Sequence, residues 1–256
     1  MLSPLFLLVL CFSLEMVDNG LGGGFGTILS PLLVILGYDP RVVVPSILLS
    51  ETVSGLWGGG WHRKFKNVNL RAVAYTLLGS LVGMVSATYL IGAVLPVTVT
   101  KQFIGIISLL MGVFVVVRSF NFSKQATGND GKFSPKYVLL GSIIGFNKGG
   151  TGGGYGPLSV SGYMALGFSA ATAIGTTTIA EGIASLLGVV LYTNLTGIVL
   201  EVALPMTLGA FLADPLSAYV NNYLKKKLEP PFHGRIIGLV MCVLGILTTL
   251  KNFKFL

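Results

Sequence analysis

Apolar residues gather in runs near 2–17, 24–37, 41–60, 70–93 and 98–118, then 135–147, 153–167, 170–192, 197–222 and 233–250. A full bilayer crossing takes about 20 residues, a length that 70–93, 98–118, 170–192 and 197–222 reach with ease. The runs beside the glycine clusters, 24–37, 135–147 and 153–167, are shorter. They read as half-length helices meeting at glycine-rich tips inside a bundle, because nonhelical backbone at membrane depth survives only where protein or a water-filled cavity satisfies its polar groups. The expected fold class is an all-α polytopic membrane protein with glycine-rich broken or re-entrant helices near the midplane.

The pattern is written twice. Asn19-Gly20-Leu21-Gly22-Gly23-Gly24-Phe25-Gly26 returns in the second half as Gly149-Gly150-Thr151-Gly152-Gly153-Gly154-Tyr155-Gly156. In the same register Gly37-Tyr38 meets Gly167-Phe168, Glu51 meets Glu181, Leu56 meets Leu186 and Gly58 meets Gly188. Interrupted hydrophobic segments at matching places of two halves are the sequence sign of a transport site. Residues 1–120 and 135–256 form the repeats, and 121–134, polar and glycine-containing, is the linker between them.

Charge relates the halves. The loop Trp61–Arg71 carries Arg63, Lys64, Lys66 and Arg71, whereas its counterpart, Leu191–Glu201, carries neither lysine nor arginine. By the positive-inside rule the two loops lie on opposite faces, so five elements per half give an inverted repeat. Residues 61–71, 121–134 and 225–235 are expected in the cytoplasm and both termini outside, with the chain in the cell membrane as a multi-pass protein.

Composition supports this placement. Hydrophobic residues make up 53% and charged residues 10%, against about 25% charged in soluble domains. The net charge of +8 sits mostly in short gaps between apolar runs, a topology signal rather than a nucleic-acid footprint. Cys11 and Cys242 stand alone in apolar runs and read as small buried hydrophobes. Met1–Leu14 lacks a basic start and a small-residue cleavage site, and reads as a retained helix.

Several residues could carry chemistry. Gly22, Gly23 and Gly24, like Gly152, Gly153 and Gly154, precede apolar helical runs, and a helix N-terminus with bare backbone offers N–H groups and a positive dipole end to an anion. The alternative is that these glycines serve close helix packing alone. Phe25 and Tyr155 could wall the pocket, with Asn147 and Thr151 beside it. Lys148 lies at the predicted tip, where a lysine costs about 2.5–3.5 kcal/mol on insertion scales. It either pairs with Asp18, its first-half counterpart, or supplies positive charge to an anionic substrate. Glu51 and Glu181, halfway along their segments, could exchange a coupling proton, be structural, or touch substrate. Thr176-Thr177-Thr178, Ser46 and Ser50 could line a polar path or bond within their own helices. Trp57, Trp61, Tyr89 and Tyr192 read as interface anchors and His62, in the basic loop, as solvated. Neither a histidine–carboxylate metal spacing nor a nucleophile–base pair stands out, so no cofactor is expected beyond a coupling proton or sodium ion, and the chain is not read as an enzyme.

The duplicated Gly-Xaa-Gly-Gly-Gly-Phe/Tyr-Gly, the later Gly-Phe/Tyr and the helix bearing Gly175-Thr176-Thr177 resemble the sulfite exporter TauE/SafE family, also called sulfite/sulfonate permeases or TSUP transporters. The resemblance runs from about Leu14 to Leu250. It implies secondary, ion-coupled transport of small sulfur anions such as sulfite, thiosulfate, sulfonates or sulfoacetate. The first half departs from the pattern at Val44-Pro45-Ser46, where the second has Ile174-Gly175-Thr176. A different class of reading is a proton- or sodium-coupled cation carrier using Glu51 and Glu181, with the glycines structural.

Overall fold

A computed structural model describes residues 2–120, 134–224 and 231–253, the side chains of 231–234 excepted. Residues 121–133 of the expected linker 121–134, the lysines 225–227 and Lys254 lie outside these residues. The described elements are all helical. In the first half, α1 (Pro4–Val17) runs into a π-helical turn (Asp18–Gly22), followed by α2 (Phe25–Ile35), α3 (Pro40–Lys64), α4 (Leu70–Tyr89, continued by a π turn to Val94) and α5 (Val97–Phe120). The second half holds α6 (Pro135–Thr151), α7 (Tyr155–Ala165), α8 (Ala170–Leu195), α9 (Leu200–Leu224) and α10 (Pro231–Asn252).

Helix starts follow local chemistry. Ser3, Asp39, Asn69, Ser134 and Ser169 each accept a first-turn backbone N–H through the side chain, and Pro4, Pro40 and Pro135 open their helices at a position with no N–H to satisfy. After α2 and α7 the chain reverses at Gly37 and Gly167, whose φ values of 95° and 94° favour glycine.

Among the described residues, six helical stretches are long and apolar enough to cross a membrane: Pro4–Gly22, Pro40–Lys64, Leu70–Val94, Val97–Phe120, Ala170–Leu195 and Arg235–Asn252. The protein is therefore a multi-pass membrane protein. Helix α9, expected to cross with ease, has the length but falls outside the six; it contains Pro205, Asp214 and Pro215. Helices α2 and α7 have 11 residues each, about 16 Å at 1.5 Å per residue, or half of a core about 30 Å thick.

The halves pack by one scheme with their roles exchanged. Gly79 on α4 meets Val138 and Ser142 on α6. Its repeat counterpart Gly209, on α9, meets Leu8 and Phe12 on α1, which are the counterparts of Val138 and Ser142. Helix α3 lies antiparallel to α8, with Leu48 beside Gly188, Gly55 beside Gly182 and Gly59 beside Ile179. Helices α5 and α10 are likewise antiparallel, with Gly105 at Thr249 and Gly112 at Cys242. The pair α3 and α8 forms the centre. The outer helices present exposed Leu78, Val82, Leu110, Leu208, Leu216 and Leu247, which suits contact with lipid rather than water.

Candidate functional site

The two glycine breaks touch. A Cβ added at Gly26 would lie 3.0 Å from Gly153 Cα, and one at Gly156 would lie 3.2 Å from Gly23 Cα. These approaches are open only to bare backbone. Gly22, Gly23, Gly24, Gly152 and Gly154 also hold positive φ, the conformations that let each chain stop one helix and begin α2 or α7. The same hypothetical Cβ at Gly26 would fall 2.9 Å from Glu51 Oε1, so the α3 carboxylate stands at the junction of the breaks.

Lys148 occupies the last turn of α6, where the helix dipole favours a cation. It is fully buried and paired with both predicted glutamates. Its Nζ lies 2.7 Å from Glu181 Oε1 on α8 and contacts Glu51 Oε2 on α3. The glutamates, equivalent positions of the two repeats, thus share one lysine at the centre of the antiparallel pair. Asp18 goes elsewhere. Its carboxylate faces the backbone N–H groups of Gly24 and Phe25, and a Cβ at Gly156 would sit 3.0 Å from its Oδ1. The chain's own carboxylate therefore stands between the starts of α2 and α7, where the sequence suggested a cradle for an external anion.

Clefts of opposite character flank the junction. One is lined by Thr27, Ser30, Asn147, Thr151, Gly153 and Gly154 and carries no charged side chain in its wall. Gly154 N–H donates to Thr27 Oγ1 at 2.9 Å, and Thr151 Oγ1 accepts from Gly153 N–H at 3.1 Å. Asn147 Oδ1 and Ser30 Oγ are buried without a hydrogen-bond partner, so polar capacity remains there. The others share Asp18, Asn19, Thr178 and Glu181 and have no lysine or arginine in their walls. Gly22 lines the first of these, and Glu15 and Glu51 the second.

Other expectations are corrected. Phe25 and Tyr155 line none of these clefts; both are fully buried, Phe25 among Leu7, Leu29 and Met206, and Tyr155 with its hydroxyl 3.1 Å from Ser80 Oγ. An aromatic ring just past the break contributes more by core burial than by facing a polar cleft. His62 is not solvated: α3 runs on through it, and it packs against Gly175, fully buried. Tyr192 is no interface anchor, being 1% exposed and donating to the Gly149 carbonyl at 2.8 Å. Ser46 bonds within its own helix to the Val42 carbonyl, whereas Thr178 reaches Asn19 Oδ1 at 2.8 Å and Thr177 reaches Ser159 at 2.8 Å.

The sequence reading passed over two acids. Asn19 Nδ2 donates to Glu15 Oε1 at 2.7 Å and to Asp214 Oδ1 at 2.6 Å, drawing together carboxylates from α1 and α9 that are 1% and 0% exposed. The signal was present, since a carboxylate inside an apolar run is expensive in a bilayer.

A sequence model described as sulfite exporter TauE/SafE matches residues 6–248. The chain is 27% identical over 233 residues to the "Probable membrane transporter protein YtnM" of Bacillus subtilis (strain 168), covering 88% of this chain and 75% of that protein. It is 28% identical over 154 residues to the "Probable membrane transporter protein YjnA" of the same organism, covering 55% of this chain and 58% of that protein. No solved structure matches the chain.

Proposed function

Because the chain belongs to the sulfite exporter TauE/SafE family of membrane transporters, we propose that it is a secondary permease of the cell membrane for small sulfur-containing anions such as sulfite, thiosulfate, sulfonates or sulfoacetate. The observation that carries the reading is Lys148, fully buried and shared by Glu51 and Glu181 where the glycine breaks meet. Two carboxylates and one ammonium leave an excess negative charge at the centre. An oxyanion gains Lys148 only if a glutamate takes up a proton or turns away, which ties anion binding to proton uptake. The uncharged cleft beside Asn147, Thr151 and Gly153 offers hydroxyl, amide and backbone groups to the remaining oxygens. Gly22, Gly23, Gly24 and Gly152 act by shaping the junction.

The equivalence of α3 and α8, their antiparallel packing and the opposite charge of their following loops support an inverted repeat. Alternating access would then proceed by one bundle rocking against the other around the Lys148 centre. Uptake of radiolabelled sulfite into proteoliposomes, with unlabelled sulfonates and thiosulfate as competitors, tests the reading. Saturable uptake that is lost in Lys148→Ala is expected. Transport of every sulfur oxyanion at the rate of protein-free vesicles, from protein that remains folded, would overturn it.

A second reading has its own support. Glu15, Asp18, Glu51, Glu181 and Asp214 outnumber Lys148 around the clefts, which suits a proton- or sodium-coupled cation carrier. Competition by cations rather than by sulfite would favour it.

A further inference from the structure

The two-fold exchange of the halves supplies an internal control, because every contact at one helix interface can be compared with its twin. On α9, Asp214, Ser217 and Asn221 form one buried face against α1 and the turn that follows it. The twin positions on α4 are Met84, Ala87 and Ile91, all buried as well. Opposite Asp214 stands Glu15, and its twin on α6 is Gly145. The same packing is thus achieved once with carboxylates and amides and once with apolar groups. Helix packing therefore does not require the acids.

The comparison extends to α3 and α8. Tyr192 and His62 hold equivalent places in the two repeats, each against the backbone of an equivalent residue, Gly149 and Asn19. Tyr192 closes a 2.8 Å hydrogen bond to its carbonyl. His62, 0% exposed, faces the Asn19 backbone without closing a bond of that geometry from either ring nitrogen. Glu15 Oε2, Asp214 Oδ2 and Asn67 Oδ1 are also unpartnered and buried. Gly58, one turn before His62, leaves α3 bare where the acids approach it, since a Cβ there would lie 2.8 Å from Asp214 Oδ1 and 2.9 Å from Asn19 Nδ2. Beyond His62, Asn221 Nδ2 donates to the Gly20 carbonyl at 3.3 Å and Asn67 Nδ2 to Asn221 Oδ1 at 3.2 Å, reaching the basic loop after α3. The described residues contain no cluster of three or more His, Cys, Asp or Glu side chains set to hold a metal ion.

We propose that Glu15 and Asp214, bridged by Asn19, bind one proton between them, and that His62 passes this proton between the pair and the basic loop. In the forward step a proton adds to a ring nitrogen of His62. A proton then moves on to Asp214 Oδ2 or Glu15 Oε2, leaving neutral imidazole and one carboxyl beside one carboxylate. The titratable groups facing the pair are Cys11 on α1, Asp18 on the turn, Glu51 on α3 and Glu181 on α8; His62 lies against the backbone of the bridging Asn19, and Lys148 is held beyond Glu181. Only the use made of the proton, neutralising the centre around Lys148, rests on the anion-transport reading.

Infrared difference spectroscopy of the purified full-length protein, taken between acid and alkaline pH without substrate or sodium, reads the site directly. A protonated-carboxyl band that titrates in the wild type and disappears in both Glu15→Gln and Asp214→Asn is expected, because the proton belongs to the pair. His62→Tyr, which copies Tyr192, should keep the band at equilibrium but slow its appearance after a pH jump. The wild-type titration keeps the test decisive should a carboxylate variant fail to fold. A wild type with no titrating carboxyl band, a band retained in both carboxylate variants, an unaltered rate in His62→Tyr, or a band that responds to sodium instead of pH would overturn the proposal. Since no anion is present, these outcomes are separate from failure to transport sulfite.

Discussion

Gly55 and Gly182 meet backbone to backbone where α3 crosses α8, so that a Cβ on Gly55 would fall 2.5 Å from Gly182 Cα and 2.7 Å from its nitrogen. Glu51 lies one turn before Gly55, and Glu181 directly precedes Gly182. The closeness of the crossing sets how near the two carboxylates can come. Gly55→Ala should push the helices apart, with an overpacking cost of about 1–3 kcal/mol. A lowered thermal midpoint together with reduced uptake is the expected result. A midpoint equal to that of the wild type would show that the crossing relaxes freely.

Removing Lys148 leaves two buried carboxylates unpaired, and breaking a buried ion pair from one side costs about 3–5 kcal/mol. Lys148→Met should therefore lower stability in a thermal-shift assay. Adding Glu51→Gln and Glu181→Gln should recover most of that loss, because neutral amides need no counter-charge. Sulfite uptake should stay absent in the triple variant. Recovered uptake would mean that the lysine is structural.

Asp18 stands at the backbone N–H groups of Gly24 and Phe25, where a substrate oxyanion would compete with it. Asp18→Asn removes that rival, and a charge at a helix N-terminus is worth about 0.3–1 kcal/mol. The apparent KM for sulfite should fall a few-fold at neutral pH. An unchanged or higher KM would place the anion away from this terminus.

Opposite placement of equivalent loops can be read chemically. With Cys11 and Cys242 replaced by alanine, Gly197→Cys should react with a membrane-impermeant maleimide in intact cells, and Lys64→Cys only in inside-out vesicles. Labelling of both from one side would refute the inverted arrangement.

Much of the fold was legible because periodic apolar runs and glycine breaks are local signals. Helices α2, α3, α7 and α8 lie close to where the runs place them, and Lys148, Glu51 and Glu181 stood out as charges inside apolar sequence. Which charge pairs with which was not legible, since pairing depends on the antiparallel crossing of α3 and α8. Glu15 and Asp214 escaped notice for a related reason: the repeat picks out residues whose twins match, and theirs are Gly145 and Met84. His62 and Tyr192 were misplaced because neighbouring basic or terminal residues suggest exposure, whereas helix length and close-packed glycines decide it.

Held by both glutamates, Lys148 works as a clasp between the two halves of the molecule. Under the proposed rocking of one bundle against the other, motion with this clasp fastened would strand buried charge, so an empty carrier should stay put. Leakiness then becomes a property set by three side chains: proton slippage without cargo should be low in the wild type and should rise when either glutamate is made an amide.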